Sequence, residues 1–241
     1  MPDILVVKSL EKYFGHLLVV SQLSFEVRQG EILGVLGPNG AGKTTMFNLI
    51  TGTLKADGGS IIFNGVDITR ESPARRCRQG IGRTYQIPRP FENMTVYENL
   101  LVGAVHGAGM REKHAAPFAM EVLELIRLLP EKDKLAGGLC LLDRKRLELG
   151  RALATQPRLL LIDEVAGGLT ENEVEMLLKV VKEIQHRGVS IVWIEHILMM
   201  LSEGVDRLLV LDGGRRLQCG DPRHVMNSQD VMECYLGSEE D

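Results

Sequence analysis

The stretch that most constrains the fold of this chain is residues 31–52, where an apolar run enters a glycine-rich turn and an apolar helical pattern follows. This stretch has the pattern G-x-x-x-x-G-K-[ST] between a predicted strand and a predicted helix, which is the context that the pattern requires. Glycines let successive backbone N–H groups converge on one anion at the positive end of a helix. The residues concerned are Gly37, Pro38, Asn39, Gly40, Ala41, Gly42, Lys43, Thr44 and Thr45.

The pattern predicts a phosphate-binding loop. We expect the ammonium group of Lys43 to reach the β- and γ-phosphates of a nucleotide, and the hydroxyl of Thr44 to complete a Mg²⁺ shell beside them. The alternative is a glycine-rich turn with a surface lysine, and the agreement of strand, turn and helix disfavours it.

Two further predicted strands end in residues that can do chemistry. Residues 159–162 are apolar and run into Asp163 and Glu164, and the apolar run 189–194 precedes His196. Such runs fit strands that are buried on both faces of a parallel sheet, and ligands bind at the carboxyl ends of these strands. We therefore expect Asp163 to hold Mg²⁺ through water and Glu164 to act as general base beside the phosphate loop. The alternatives are two acids that cap the next helix and an ordinary hydrogen-bonded loop histidine.

Two weaker candidates lie elsewhere in the chain. Gln86 follows a short predicted strand and precedes Pro88 and Pro90, which exclude regular structure. Its amide could bind Mg²⁺ or orient water, and a surface turn is the alternative. Tyr13 and Phe14 precede a glycine, and an exposed aromatic there could stack on a purine ring, although the residues alone favour an ordinary core aromatic.

Composition narrows the functional classes. The 241 residues are 44% hydrophobic, enough for the core of one large α/β domain or of a domain with an inserted lobe. The net charge of −4 does not indicate nucleic-acid binding. No apolar run approaches the roughly 18 residues of a membrane span, and the start MPDILVVKSLEKYF does not resemble a signal peptide, so we expect any membrane role from the aqueous side. The four cysteines lack metal-ligand spacing, which favours reduced thiols in a cytosol.

Hydrophobic periodicity predicts the remaining elements. Strands are expected at residues 4–8 and 17–27, a closing hairpin at 207–218, and an amphipathic helix at 144–155. The acidic tail from Ser238 is expected to fray.

The middle of the chain is interpreted as an α-helical insertion into an α/β core, at about residues 88–140. Within it the glycine-rich stretch 103–109 is predicted to be a loop. Before it, residues 70–83 contain five arginines, which we interpret as a solvated helix face.

The elements GPNGAGKTT, Gln86, LLLIDE and His196, in this order, resemble the nucleotide-binding subunit of ATP-binding-cassette (ABC) transporters over essentially the whole chain. The stretch RTYQIPRPFENMTVYENLLVGA (residues 83–104) and the ending VMECYLG (231–237) resemble most the ATPases of branched-chain amino-acid importers, and the lipopolysaccharide-export ATPases look similar too. The resemblance implies one ABC domain with a P-loop NTPase core of mainly parallel sheet, an antiparallel β subdomain and an inserted α-helical subdomain. Its core would comprise residues 1–87 and 141–241, with the helical subdomain at 88–140.

The resemblance also implies that ATP and Mg²⁺ bind to residues spread along the chain. Phe14, less favourably Tyr13, would stack on adenine, and Gln86 would be the sensor that joins the core to the helical lobe. His196 would be the switch histidine on the γ-phosphate. The implied catalytic residues are Lys43, Glu164 and His196, those that hold ATP are Phe14, Gly37 to Thr45 and Gln86, and those that hold the metal are Thr44, Gln86 and Asp163.

Partners follow from the same resemblance. The surface around Gln86 to Phe91 would receive a coupling helix from a transmembrane permease subunit, and a solute-binding protein would act indirectly. The chain would lie in the cytoplasm on the inner face of the cell membrane. Two such ATPases close head to tail, and each ATP lies between the phosphate loop of one chain and the signature loop of the other. No nucleic-acid partner is expected; the alternatives are an export ATPase and an ATP-binding regulatory subunit with little turnover.

One segment departs from the family pattern. Where the family has L-S-G-G-Q, this chain has a signature segment, residues 139–143, that reads LCLLD. Cys140 is a weaker donor than serine, Leu142 replaces a glycine whose backbone must approach the phosphate, and Asp143 adds a negative charge. We therefore predict that a homodimer hydrolyses ATP poorly and that a heterodimer with a different ATPase is favoured. The alternative is that Cys140 and the helix dipole suffice.

Overall fold

The computed structural model describes residues 2–236, and the predicted fraying from Ser238 lies outside them. The chain divides into two compact units, the first made of residues 1–73 and 190–241 and the second of residues 74–189. The subdomain boundaries expected at residues 87/88 and 140/141 stay predictions. None of the helices within residues 2–236 combines the length and the apolar character that crossing a bilayer requires.

The first unit contains a strand that is fully buried between two parallel neighbours. This strand, β3, pairs in parallel with β8 and with β9, and every residue of β3 is buried. Both faces are covered, so its sequence shows no polar alternation. Numbered along the whole chain, the elements of this unit are β1 (Asp3–Phe14), β2 (Leu17–Arg28), β3 (Ile32–Leu36), α1 (Lys43–Thr51), β4 (Gly58–Phe63), β5 (Val66–Asp67), β8 (Ser190–Ile194), α7 (Leu198–Gly204), β9 (Arg207–Asp212), β10 (Arg215–Gly220), α8 (Pro222–Met226) and α9 (Gln229–Leu236).

An antiparallel sheet in the order β2-β1-β4-β5 forms the rest of this unit's β structure. Leu23, Phe25 and Val27 of β2 are buried, as the alternation of that strand predicts. The strand predicted at residues 4–8 is longer than expected, because β1 pairs with β2 as far as Phe14. The predicted hairpin is confirmed, since β9 and β10 are antiparallel.

The second unit combines a short parallel strand pair with helices. Strand β6 pairs in parallel with β7, and all five residues of β7 are buried. The elements are α2 (Pro73–Gln79), which begins at the boundary between the units, β6 (Ile81–Arg83), α3 (Val96–Val102), a π-helical turn (Gly103–Gly107), α4 (Glu112–Leu125), two 3-10 turns (Leu129–Glu131 and Ala136–Gly138), α5 (Leu141–Ala154), β7 (Leu159–Asp163) and α6 (Glu171–His186). The buried parallel strands and the antiparallel sheet together confirm the predicted α/β class.

Most of the glycine-rich stretch 103–109 is helical, contrary to our expectation of a loop, and only Ala108 and Gly109 lie outside the helix. Residues Gly103–Gly107 continue α3 as a π-helical turn. A Cβ on Gly103 would lie 2.9 Å from the Cβ of Ala154, and one on Gly107 would lie 2.6 Å from Cγ2 of Thr155. These glycines therefore allow close packing against the end of α5, a requirement that composition alone does not show.

The arginine-rich stretch 70–83 is also not a uniformly solvated face. Arg76 is only 2% exposed, and the side chain of Arg83 is 8% exposed. Buried guanidinium groups need acceptors, and Arg83 finds its acceptor on a strand about eighty residues later. The prediction was wrong for these two residues because it considered only neighbours in sequence.

Candidate functional site

The turn after β3 has a backbone that requires glycine at particular positions. Gly40 and Gly42 have φ angles of 82° and 92°, in the left-handed region that other residues rarely adopt. A Cβ on Gly37 would lie 2.3 Å from the carbonyl oxygen of Leu211, and one on Gly42 would lie 2.9 Å from that of Val19. The turn is therefore held tightly against its neighbours, with left-handed residues of the kind that backbone anion-binding turns contain.

Lys43 closes this turn. Its side chain is buried, and Nζ donates to the carbonyl oxygens of Gly37 at 2.6 Å and of Pro38 at 3.0 Å. The first turn of α1, Lys43 to Met46, contains no acidic residue, and the residue before it, Gly42, has no side chain that could cap the helix. Backbone N–H groups at a helix start and an ammonium group are the donors that a polyphosphate needs, so these residues fit the phosphates of a nucleotide.

His196 lies at the same edge of the parallel strands as this turn. It follows β8, which pairs directly with β3, and its side chain is exposed. Its backbone N–H donates to Oε2 of the buried Glu195 at 3.3 Å, which helps to fix the chain where the strand ends. The predicted position of His196 at the tip of a parallel strand is thus confirmed, whereas its role stays a prediction.

The aromatic pair at the end of β1 is exposed, which overturns the core interpretation. Tyr13 and Phe14 have exposed fractions of 42% and 47%. Nζ of Lys12 lies 5.7 Å from the centre of the Phe14 ring, and the backbone N–H of Tyr13 donates to Oδ2 of Asp57 at 2.7 Å. That hydrogen bond, and then the Lys12 ammonium, lower the pKa of Asp57. An aromatic face is therefore available for stacking on a base.

In the second unit, polar residues at and just after the end of β6 contact the last residue of β7, Asp163, and the next residue, Glu164. The guanidinium Nη2 of Arg83 donates to Oδ2 of Asp163 at 2.9 Å, and the backbone N–H of Asp163 donates to Oγ1 of Thr84 at 3.1 Å. Nε2 of Gln86 donates to Oε2 of Glu164 at 2.6 Å. The structure thus brings Gln86 to Glu164, and Arg83 and Thr84 to Asp163, whereas the roles expected of Gln86, Asp163 and Glu164 stay predictions.

Glu164 has an unusual backbone conformation. Its φ angle is 44°, in the left-handed region, which is uncommon for a residue with a side chain. Such a conformation persists only where the surrounding contacts determine it. The hydrogen bond from Gln86 is one of these contacts, and it orients the carboxylate that we expect to act on water.

Arg83 and Thr84 were missed by the sequence reasoning. Arg83 forms a nearly buried ion pair, with its side chain 8% and that of Asp163 6% exposed. The only signal in the sequence was their position just before Gln86, and the surrounding arginines masked it. Together the two residues fix the side chain and backbone of Asp163.

The start of α5 carries the signature segment. Cys140 is the residue before the helix, and Sγ of Cys140 donates to Oδ2 of Asp143 at 3.2 Å. The other carboxylate oxygen of Asp143 lies 3.3 Å from Nη1 of Arg146. This helix N-terminus therefore already has a carboxylate of its own, held by a thiol and by a guanidinium group.

Leu141 and Leu142 of the signature segment, which stand where the family pattern has two glycines, have different environments. Leu142 is 8% exposed, whereas Leu141 is 46% exposed. A Cβ on Gly168 would lie 3.3 Å from Cδ2 of Leu141. Of the two leucines at family glycine positions, Leu141 is therefore the exposed one, whereas the sequence had drawn attention to Leu142.

Comparison with known proteins gives consistent results. A family model described as "ABC transporter" matches residues 20–167. The chain is 36% identical to the high-affinity branched-chain amino acid transport ATP-binding protein LivG of Salmonella typhimurium, with 97% of this chain and 98% of that protein covered. It is 32% identical to the lipopolysaccharide export system ATP-binding protein LptB of Haemophilus influenzae, with 98% of each covered.

A solved structure has the same fold. An ATP-binding cassette of an ABC transporter in its ADP conformation has a TM-score of 0.91 with this chain at 33% identity, and the match covers 98% of this chain and 100% of that one. The predicted P-loop NTPase class is thereby confirmed.

Proposed function

Because this chain belongs to the family of ABC transporter ATP-binding subunits, we propose that it powers the import of a small solute, such as a branched-chain amino acid, through separate membrane subunits. Members of the family are ATPases coupled to transport, and this chain is an ATPase of that kind. The observation that carries the proposal of import is the 36% identity to LivG over 97% of the chain. The 32% identity to LptB favours an export ATPase as the second candidate.

ATP is held by residues of the phosphate loop and by an aromatic ring. Phe14 stacks on adenine, and the turn Gly37 to Thr45 binds the phosphates through backbone N–H groups and the ammonium group of Lys43. The support is the glycine backbone of the turn, the position of Lys43 and the exposed face of Phe14. When bound, Mg²⁺ neutralises part of the phosphate charge; Thr44, Gln86 and Asp163 are the residues that would hold it.

Hydrolysis depends on Glu164 and His196. Glu164 takes a proton from the attacking water while the water oxygen bonds to the γ-phosphorus and the bond from that phosphorus to the bridging oxygen of ADP breaks. His196 contacts a γ-phosphate oxygen. The support for these roles is the order of the motifs and the hydrogen bond by which Gln86 orients the Glu164 carboxylate.

The chain pairs with a second, different ATPase at the inner face of the cell membrane, beside transmembrane permease subunits and, indirectly, a solute-binding protein. The support for a heterodimer is the thiol of Cys140, which donates to Asp143 of its own chain. Support for a permease contact is the exposed apolar side chains of Tyr85, Ile87 and Phe91, which are 54%, 68% and 45% exposed.

The proposal is tested by transport. The full chain is purified with the membrane proteins that accompany it and is reconstituted in liposomes, and ATP-dependent movement of radiolabelled leucine is measured. We expect leucine entry that Glu164→Gln abolishes while ATP binding is retained. Outward movement of a lipid cargo would instead support the export ATPase, and wild-type turnover by Glu164→Gln would refute the role of Glu164.

A further inference from the structure

The loop of residues 84–91 has no regular secondary structure, yet side chains from two helices hold its backbone. It contains Gln86, which contacts Glu164, and two prolines that exclude a strand or helix. Asn99 of α3, which is fully buried, holds one end of the loop: its amide exchanges hydrogen bonds with the backbone of Phe91, at 2.9 and 3.1 Å.

The centre of the loop is held by an ion pair on α5. The carboxylate of Glu148 accepts hydrogen bonds from the backbone N–H groups of Tyr85 and Arg89, and its Oε2 lies 3.1 Å from Nη1 of Arg151. Nη1 of Arg151 also donates to the carbonyl oxygen of Arg89 at 2.6 Å, and its guanidinium lies 5.0 Å from the centre of the Phe91 ring. Two side chains one helical turn apart therefore hold the loop on both sides of Gln86.

Burying the carboxylate of Glu148 costs free energy, so a gain in stability does not explain why this ion pair is there. The side chain of Glu148 is 5% exposed, and burial raises its pKa even though Arg151 and the two backbone N–H groups lower it. The donors therefore do not fully compensate the loss of water around the carboxylate. Replacing a buried ion pair by apolar groups is often neutral or stabilising, so such a pair is better explained by the geometry that it imposes.

We propose that Glu148 and Arg151 are positioning residues that fasten the loop 84–91 to α5 and so hold the amide of Gln86 against Glu164. Neither residue touches the nucleotide in this scheme; both act through Gln86. The inference rests on the proposed function in one respect, which is the role of Glu164 in hydrolysis.

The decisive variant is Glu148→Gln, which keeps the shape of the side chain. A carboxylate has acceptor capacity for all three of its donors, whereas an amide offers one oxygen and places an NH₂ group against donors. We expect the amide hydrogens of residues 84–91 to exchange with deuterium about tenfold faster in the full chain, because hydrogen bonds to a charged acceptor are lost.

Steady-state hydrolysis by the same variant separates positioning from binding. We expect kcat to fall about tenfold, since a displacement of about 1 Å at a catalytic group is costly, and the KM for ATP to stay unchanged. The matched control is Glu183→Gln on α6, which removes an exposed ion pair with Arg187, the residue after that helix. We expect the control to leave both the exchange of the loop and kcat unchanged.

Two results would overturn the inference: unchanged exchange at residues 84–91 in a folded Glu148→Gln chain, or faster exchange with an unchanged kcat. If Glu148→Gln does not fold, Arg151→Lys decides by the same measurements, because lysine keeps the charge but loses the planar group that contacts Arg89 and Phe91. A failure of the proposed function is distinguishable from a failure of this inference. If Glu164 has no role in hydrolysis, Glu164→Gln hydrolyses ATP normally, and this result does not depend on the deuterium exchange of residues 84–91.

Discussion

The N-terminus of α1, after the predicted phosphate loop, and the N-terminus of α5, in the signature segment, differ in charge. The start of α1 has a glycine before it, a buried lysine and no acidic residue among Lys43 to Met46. The start of α5 has Cys140 before it and Asp143 in its first turn, and the carboxylate of Asp143 is held by the thiol and by Arg146. Both have the positive end of a helix dipole, but of the two only α5 has a carboxylate in its first turn.

This difference shows that a helix N-terminus is not by itself a phosphate site. A carboxylate in the first turn stabilises the helix and at the same time repels a polyanion. Under the proposed function, the residues that would face the chain's own ATP follow the family pattern, whereas those that it would offer to a partner depart from it. Substitutions at the two helix starts can test this contrast between α1 and α5.

Lys43→Met, at the start of α1, should remove most of the affinity of the chain for ATP. We expect the dissociation constant for a fluorescent ATP analogue to rise about a hundredfold, because a charge-assisted contact to phosphate is lost. Lys179→Met changes an exposed lysine of α6 and serves as control. Since Lys43 also donates to two carbonyls of the loop, the melting temperature is measured alongside. If Lys43→Met has unchanged affinity for ATP, the start of α1 is not a phosphate site.

Restoring the start of α5 should increase hydrolysis by a homodimer. We expect the double variant Cys140→Ser, Asp143→Gln to turn over ATP about tenfold faster than the wild type, since a hydroxyl donor is gained and a negative charge is removed. Asp133→Asn, at an exposed carboxylate, is the control. A wild-type homodimer that is already as fast as a mixed dimer with an intact signature would show that the signature segment is not impaired.

A carboxylate in the first turn of α1, like the one that α5 has, should weaken ATP binding. Thr45→Glu places a carboxylate in the first turn of α1, and we expect about tenfold weaker ATP binding than for the neutral match Thr45→Gln. The difference should shrink as salt is added, because screening weakens repulsion between exposed charges. Equal affinities of the two variants at low salt would show that charge at this helix start does not matter.

Removing the carboxylate of Asp143 from the start of α5 should have the smallest effect, which is a small loss of stability. Asp143→Asn loses a favourable dipole interaction and the pair with Arg146, so we expect the free energy of unfolding in urea to fall by about 0.5 kcal/mol. Glu183→Gln provides the reference for an exposed pair. An unchanged or higher stability would mean that Asp143 has no structural role at the start of α5.

The sequence alone determined the parts of this protein that depend on local chemistry. The turn from Gly37 to Thr45 could be predicted because its backbone angles and close contacts require glycines at fixed positions. The buried strands β3, β7 and β8 could be predicted because short apolar runs between turns fit a strand covered on both faces. For the same reason the residues at the tips of these strands, including Glu164 and His196, were found.

The contacts of each polar side chain, in comparison, became known from the folded chain. Residue type alone does not distinguish Arg83 and Glu148 from surface charges, yet Arg83 holds Asp163 and Glu148 holds the loop around Gln86. Phe14 is exposed although its stretch fits a core strand equally well. The reason is physical: local patterns specify backbone conformation, whereas the burial and pairing of a charge depend on residues that folding brings from far along the chain.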